Sequence, residues 1–263
     1  MGVRSPPFVV LLLLMQKKEK DIIYGRHPVV DAIEAGVSLD KVIFQQGVRG
    51  PLEKEIRHLT RQANIPLQIA PKERMNRIVR GNHQGIIALI APIQFYRIED
   101  VLPTIYEQSQ TPLIVILDGV TDVRNLGAIA RSAEVCGAHA LVVPLKGSAQ
   151  INADAMKTSA GALAKIPVCR EPSLVNAVDF LQQSGLSIMA SSLKASQSIH
   201  ELDWTMPLAL VVGSEGEGIS PSMEKAADQL FIIPQQGTTD SLNVSVATGM
   251  ILYECMRQRY FNS

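Results

Sequence analysis

The sequence predicts an α/β protein in which a small N-terminal α/β unit precedes a domain built on a mostly parallel sheet. Three observations carry this. From residue 113 onward, continuous apolar runs such as LIVIL (113–117), ALVV (140–143) and LALVV (208–212) alternate with helix-period segments. That alternation marks a parallel sheet covered on both faces. Three polar, glycine-containing clusters follow strand-like runs in this half: DGVTDVRNLGAIARSAE (118–134), VVGSEGEGIS (211–220) and SLNVSVATG (241–249). Polar loops at strand ends are where such a domain builds a ligand site. Before residue 93 the alternation recurs on a smaller scale.

In the front unit, a helix is predicted over 28–35, a strand over 41–44, and a helix over 52–63 with Leu52, Ile56 and Leu59 on one face. A short strand at 67–69, a basic helix at 72–79 and a buried strand at 85–91 follow. Prolines at 92, 103 and 112 mark 93–112 as a linker with a short helix. In the second half, strands are expected at 113–117, 140–143, 166–169, 186–190, 208–212 and 230–233. Helices are expected at 126–136, 153–163, 174–182, 221–227 and 243–258. The last helix is apolar at Val244, Ala247, Ile251 and Cys255, and again at Val246, Met250 and Tyr253. A helix apolar on two faces is buried on more than one side. Either one subunit covers both faces, or a second copy covers one.

The domain expectation is therefore an extension over 1–21, expected to be disordered, a unit over 22–92, a linker over 93–112 and a domain over 113–263. The extension holds the apolar run FVVLLLLM (8–15), too short to span a bilayer. No small-residue cleavage site follows it, and Met15 is a plausible start. No membrane association is expected.

The 263 residues are 46% hydrophobic and 19% charged, with zero formal net charge. Residues 1–100 hold 15 Lys and Arg against 10 Asp and Glu, and the rest hold 10 against 15. A basic front half suits a polyanion-facing module. Cys136, Cys169 and Cys255 are odd in number and lack CxxC or Cys/His spacing, so no metal site or disulfide framework is expected. Reduced cysteines fit a cytoplasmic protein.

Each cluster has its own chemistry. The loop Gly213–Gly218 is neither a dinucleotide fingerprint nor a phosphate loop. Glu215 and Glu217 would repel phosphate, so a neutral or cationic ligand fits better. The alternative is a turn with Ser220 capping a helix ahead of Pro221. Asn125 either caps its helix or presents its amide to a ligand. Arg131 shares a helix face with Arg124 and Gly127, and the glycine would leave space around its guanidinium. The alternative is a surface pair with Glu134. Ser241, Asn243 and Ser245 place three hydrogen-bonding side chains at one helix start, more than capping needs.

Together these residues resemble the SpoU/TrmH family of RNA ribose 2′-O-methyltransferases, within the SPOUT superfamily. The motif NxGxxxR corresponds to Asn125 to Arg131, GxEGxG to Gly213 to Gly218, and SLNVS to Ser241 to Ser245. IIYGRHPVVDAIEAG, His83–Gly85 and residues 148–162 are similar to the subgroup that methylates a guanosine ribose in 23S ribosomal RNA. The resemblance covers 22–259. It implies S-adenosylmethionine as methyl donor, no metal, a C-terminal trefoil knot and a homodimer. It implies donor-binding positions at Gly213, Glu215, Gly216, Ile233, Leu242 and Val244. Arg131, Asn125, Glu215, Ser241 and Asn243 are the positions it implies for catalysis. Arginine stays protonated in proteins, so Arg131 is expected to position and stabilise charge rather than to act as the base. The front unit is implied to bind ribosomal RNA, with Arg26, His27, Arg80, Asn82, His83 and Gln84 as contacts. Two alternatives stay open: a tRNA guanosine 2′-O-methyltransferase, and a non-catalytic RNA-binding assembly factor of the same fold.

Overall fold

The computed structural model describes residues 21–238 and 241–261. The expectation for the N-terminal extension lies outside the described residues. The chain forms two compact units that divide between Ala91 and Pro92.

The first unit runs β1 (Ile22–Tyr24), α1 (Arg26–Glu34), β2 (Leu39–Gln45), α2 (Pro51–Gln62), β3 (Leu67–Ala70), α3 (Lys72–Ile78) and β4 (Ile86–Ile90). Its sheet order is β1-β4-β2-β3; β2 and β3 are parallel, and the other pairs antiparallel. Strand periodicity splits the core. Val42, Phe44, Ile86 and Ala88 pack with Val29 of α1 and Ile56 of α2. Ile43 and Ile87 point the other way, to Met75 of α3. Strand β1 was not expected, because three residues are too few to show a period.

The second unit contains β5 (Phe95–Tyr96), α4 (Ile98–Glu107), β6 (Leu113–Leu117), α5 (Val123–Val135), β7 (Ala140–Pro144) and α6 (Ala153–Thr158). It continues with β8 (Val168–Glu171), α7 (Leu174–Gln183), β9 (Ser187–Ser191), β10 (Leu208–Val212), α8 (Pro221–Ala226), β11 (Gln229–Phe231) and α9 (Val244–Phe261). The seven-stranded sheet has the order β11-β9-β10-β6-β7-β8-β5, and every adjacent pair is parallel. In β6, Leu113, Val115 and Leu117 face the core formed with α5, α6 and α9. Ile114 and Ile116 face α4, α7 and α8.

Two expectations are corrected. Residues 93–112 are not a linker: Phe95 and Tyr96 pair with Val168 and Cys169. Glu171, 3% exposed, accepts from Ile98 N at 2.8 Å and from Arg97 Nε at 3.0 Å, fastening the start of α4. A two-residue strand among prolines carries no periodic signal. The helix expected over 153–163 stops at Thr158, because Ala160 (φ 49°) and Gly161 (φ 84°) enter left-handed space before a 3₁₀ turn at Ala162–Ala164.

Candidate active site

The sheet order reverses around β6: the chain leaves β6 toward β7 on one side, while β10 and β9 fill the other. Such a switch point opens a crevice at the carboxyl ends of the strands. The loop after β10 shapes it. Ser214 and Gly218 exchange backbone hydrogen bonds at 3.0 and 3.1 Å, closing a tight loop. A Cβ on Gly213 would sit 1.9 Å from the Gly218 carbonyl carbon, so only glycine lets the two backbone segments touch. Asp118, at the end of β6, accepts from Ser220 N at 2.6 Å and ties this loop to its neighbour. Ser220 also caps α8.

Beside this loop lies a cavity of about 280 Å³. All six positions expected to hold the donor line it: Gly213, Glu215, Gly216, Ile233, Leu242 and Val244. Ser241 lines it as well. One wall was missed by the sequence reading: Ser191 to Lys194, at the end of β9. The signal was present as a polar run, SSLKAS, directly after an apolar strand. Lys194 pairs with Glu224 at 3.2 Å, leaving Glu215 and Glu217 to set the rim's charge. A cavity lined by glycines and apolar residues, with Glu215 and Glu217 also in its lining, suits a cationic ligand and disfavours a phosphate.

A smaller cleft of about 120 Å³ adjoins it and shares Ser214, Glu215 and Val244. Its other walls include Gly119, Asp122 and Asn125. Here the three motifs meet. Asn125 donates its side-chain amide to Glu215 Oε1 at 3.2 Å. Asn243 donates to Asn125 Oδ1 at 3.0 Å, and also to Glu215 Oε1. The local folding explains why both amides are available. Asp122, not Asn125, caps α5, accepting from the backbone of Arg124 and Asn125 at 2.8 and 2.9 Å. Asn243 caps α9 with its oxygen, accepting from Ser245 N at 2.9 Å, which frees its nitrogen for the cluster.

Arg131 stands apart. It lies six residues beyond Asn125, about 9 Å along the helix and on a different face. It is exposed and, among the described residues, has no hydrogen bond or ion pair. The alternative pair with Glu134 does not form, since Glu134 bonds Lys165 at 3.2 Å. Gly127 does not make room for Arg131. A Cβ there would lie 2.7 Å from Thr158 Cβ, so the glycine serves the packing of α5 on α6.

In the first unit, Arg26, His27, Arg80, Asn82 and Gln84 are exposed. Gln84 accepts from Arg26 N at 3.0 Å, and the Arg26 side chain pairs with Glu55 at 3.2 Å. His83 departs from expectation as an RNA contact. It is 4% exposed, its Nδ1 accepts from Gly85 N at 3.0 Å, and its Nε2 faces Asn76 Oδ1 at 2.9 Å. With both nitrogens engaged, it holds the 81–85 loop in place. Among the described residues, no group of three or more His, Cys, Asp and Glu could hold a metal ion. No described helix is long and apolar enough to cross a membrane.

The sequence profile of the SpoU rRNA methylase family matches residues 112–253, and that of the RNA 2′-O ribose methyltransferase substrate-binding domain matches 22–96. The chain belongs to the SpoU rRNA methylase family. It is 37% identical over 243 residues to the Yersinia pestis 23S rRNA (guanosine-2′-O-)-methyltransferase RlmB, covering 91% of this chain and 98% of that one. It is also 37% identical over 244 residues to a Synechocystis protein named an uncharacterized tRNA/rRNA methyltransferase, covering 92% of this chain but 64% of that relative's length. Among solved structures, the AdoMet-bound rRNA methyltransferase of Sinorhizobium meliloti superposes with a TM-score of 0.59 at 23% identity. That likeness spans 92% of this chain and 88% of the other, and it shows a shared fold.

Proposed function

We propose that this SpoU family chain transfers a methyl group from S-adenosylmethionine to the ribose 2′-hydroxyl of a guanosine in 23S ribosomal RNA. The observation that carries the proposal is the junction of two spaces. A cavity lined by glycines and apolar residues meets a smaller cleft at Glu215, and Asn125 and Asn243 converge on that carboxylate. The name of the RlmB relative points to the guanosine ribose and to 23S RNA.

The donor fits the cavity residues present: close-packed glycine backbone, apolar Ile233, Leu242 and Val244, and carboxylates at the mouth. When bound, it supplies a methyl carbon on a sulfonium centre for in-line displacement by the ribose oxygen. The chain's own residues order the acceptor. Asn125 and Asn243 fix the smaller cleft, Ser241 lines the donor cavity, and Glu215 joins the motif loops. Arg131 lines neither space in this chain; it is the family resemblance that assigns it to steady the charge that develops as the hydroxyl loses its proton. RNA binding falls to the first unit through Arg26, His27, Arg80, Asn82 and Gln84, and methyl transfer to the second.

The same reading includes a homodimer, the family's trefoil knot and a cytoplasmic location. Support for the dimer comes from α9, which leaves Val246, Met250 and Tyr253 exposed at 48%, 47% and 59%. The three free cysteines support a reducing compartment. The test is methyl transfer from labelled donor to undermethylated ribosomal RNA, mapped to the nucleotide, with wild type beside Arg131→Ala. Transfer only to tRNA would remove the ribosomal assignment. Full activity in the variant would remove Arg131 from the site.

A further inference from the structure

A cavity of about 290 Å³ opens in the first unit, lined by none of the RNA contacts assigned above. It lies where β2 and β3 end, between the loop 45–50 and the first turns of α2. Its apolar wall is Ile69, which pairs in register with Phe44 and shares a strand face with Leu67. Phe44 is buried and Leu67 packs beside it in the core, whereas Ile69 is 44% exposed. Among the described residues of this unit, no other large aliphatic or aromatic side chain is so exposed. The rim is polar and mostly planar: Gln45, Gln46, Arg49, Glu53 and Arg57. Arg57 is held by Glu53 at 2.9 Å, and Arg49 has no hydrogen bond or ion pair among the described residues.

We propose that this cavity receives one unstacked nucleobase of the substrate RNA. The inference rests on the RNA-directed reading above and names a second contact site beyond the loops already assigned. The chemistry matches on each side. A base has two apolar faces and a polar edge, and single-stranded RNA is read by splaying such bases onto flat side chains, including guanidinium planes. Ile69 offers an apolar surface and Arg49 a free guanidinium. The Gln45 and Gln46 amides and the Glu53 carboxylate can read an edge, since carboxylates accept from exocyclic amines. Charge agrees: residues 22–91 hold ten Lys and Arg against six Asp and Glu. The cavity also adjoins the assigned loops. A Cβ on Gly85 would lie 3.4 Å from Gln45 Cβ and 3.7 Å from Val48 Cγ2. One strand of RNA could therefore touch both.

The experiment measures binding of an unmodified large-subunit ribosomal RNA transcript to the full-length protein, with methyl transfer and donor affinity followed in parallel. Variants are Arg49→Ala, Ile69→Ser and, as a control on the far end of α2, Arg61→Ala. The first two are expected to weaken RNA binding at least about tenfold, with donor affinity and turnover at saturating RNA unchanged. Arg61→Ala is expected to stay within about twofold. Unchanged RNA binding by Arg49→Ala and Ile69→Ser would overturn the proposal. Weakening by Arg49→Ala alone would also overturn it, reducing the cavity to a phosphate contact. Arg49- and Ile69-dependent binding in a protein that transfers no methyl group would sustain this site while defeating the proposed activity.

Discussion

Asn243 donates its side-chain amide to Asn125 Oδ1 at 3.0 Å, across 118 residues of sequence. The bond joins the starts of α5 and α9, and Glu215 accepts from both partners. The division of labour within Asn243 makes it testable. Its oxygen caps α9 while its nitrogen serves the cluster. Asn243→Asp keeps the cap and places a carboxylate against Glu215. It is expected to lower turnover at least about 100-fold while changing stability by less than about 1 kcal/mol. Asn243→Ala loses both and costs about 1 kcal/mol more in stability. Turnover and urea unfolding, measured together, separate the two roles. A fully active Asn243→Asp enzyme would show that the cluster is not needed for chemistry.

The close approach at Gly213 predicts a different failure. Gly213→Ala forces a methyl group into the Gly218 backbone. Overpacking of this kind costs about 1–3 kcal/mol. Because both segments wall the larger cavity, donor affinity, read by calorimetry, should fall with it. Gly127→Ala meets Thr158 instead and should destabilise similarly, but leave donor affinity intact in the folded fraction.

Much of the site was legible before the fold. Glycine and short polar side chains after apolar runs mark strand ends, and the surplus of polar groups at Ser241–Ser245 exceeds one cap. The illegible parts depend on contacts distant in sequence. Gly127 reads equally well as space for Arg131 or as a seat for another helix, and only the position of Thr158 decides. His83 reads as a surface group until Asn76 and Gly85 occupy its two nitrogens. Strand β5 depends on β8, more than 70 residues later.

Arg259 makes the end of α9 a stability determinant. Its guanidinium donates to the carbonyls of Trp204, Thr111, Pro112 and Met206 at 2.8, 2.9, 3.1 and 2.7 Å. These are the approaches to β10 and β6. Arg259→Ala leaves several carbonyls without a donor and should cost at least about 2 kcal/mol. Arg259→Lys should recover little, because a point ammonium cannot serve the same fork of acceptors. Chemical denaturation of the three proteins measures the order.

The same corner predicts a pH dependence. His139 Nδ1 accepts from Leu113 N at 3.0 Å. Burial, reinforced by the positive charge of Arg259, holds the imidazole below its usual pKa. The unfolded chain therefore takes up a proton here at a higher pH than the folded one. The stability from neutral His139 is present above about pH 6.5, the ordinary histidine value, and is lost as pH falls from there toward the lowered folded value. Glu171, whose buried carboxyl is raised, acts in the opposite sense, so the wild-type curve alone does not isolate the histidine. His139→Asn keeps a side-chain acceptor and removes the titration. The difference in unfolding free energy between the two proteins should change steadily between about pH 6.5 and pH 5, with the wild type losing more as acid is added. A difference that stays flat across that interval would mean that His139 titrates alike in the folded and unfolded chains.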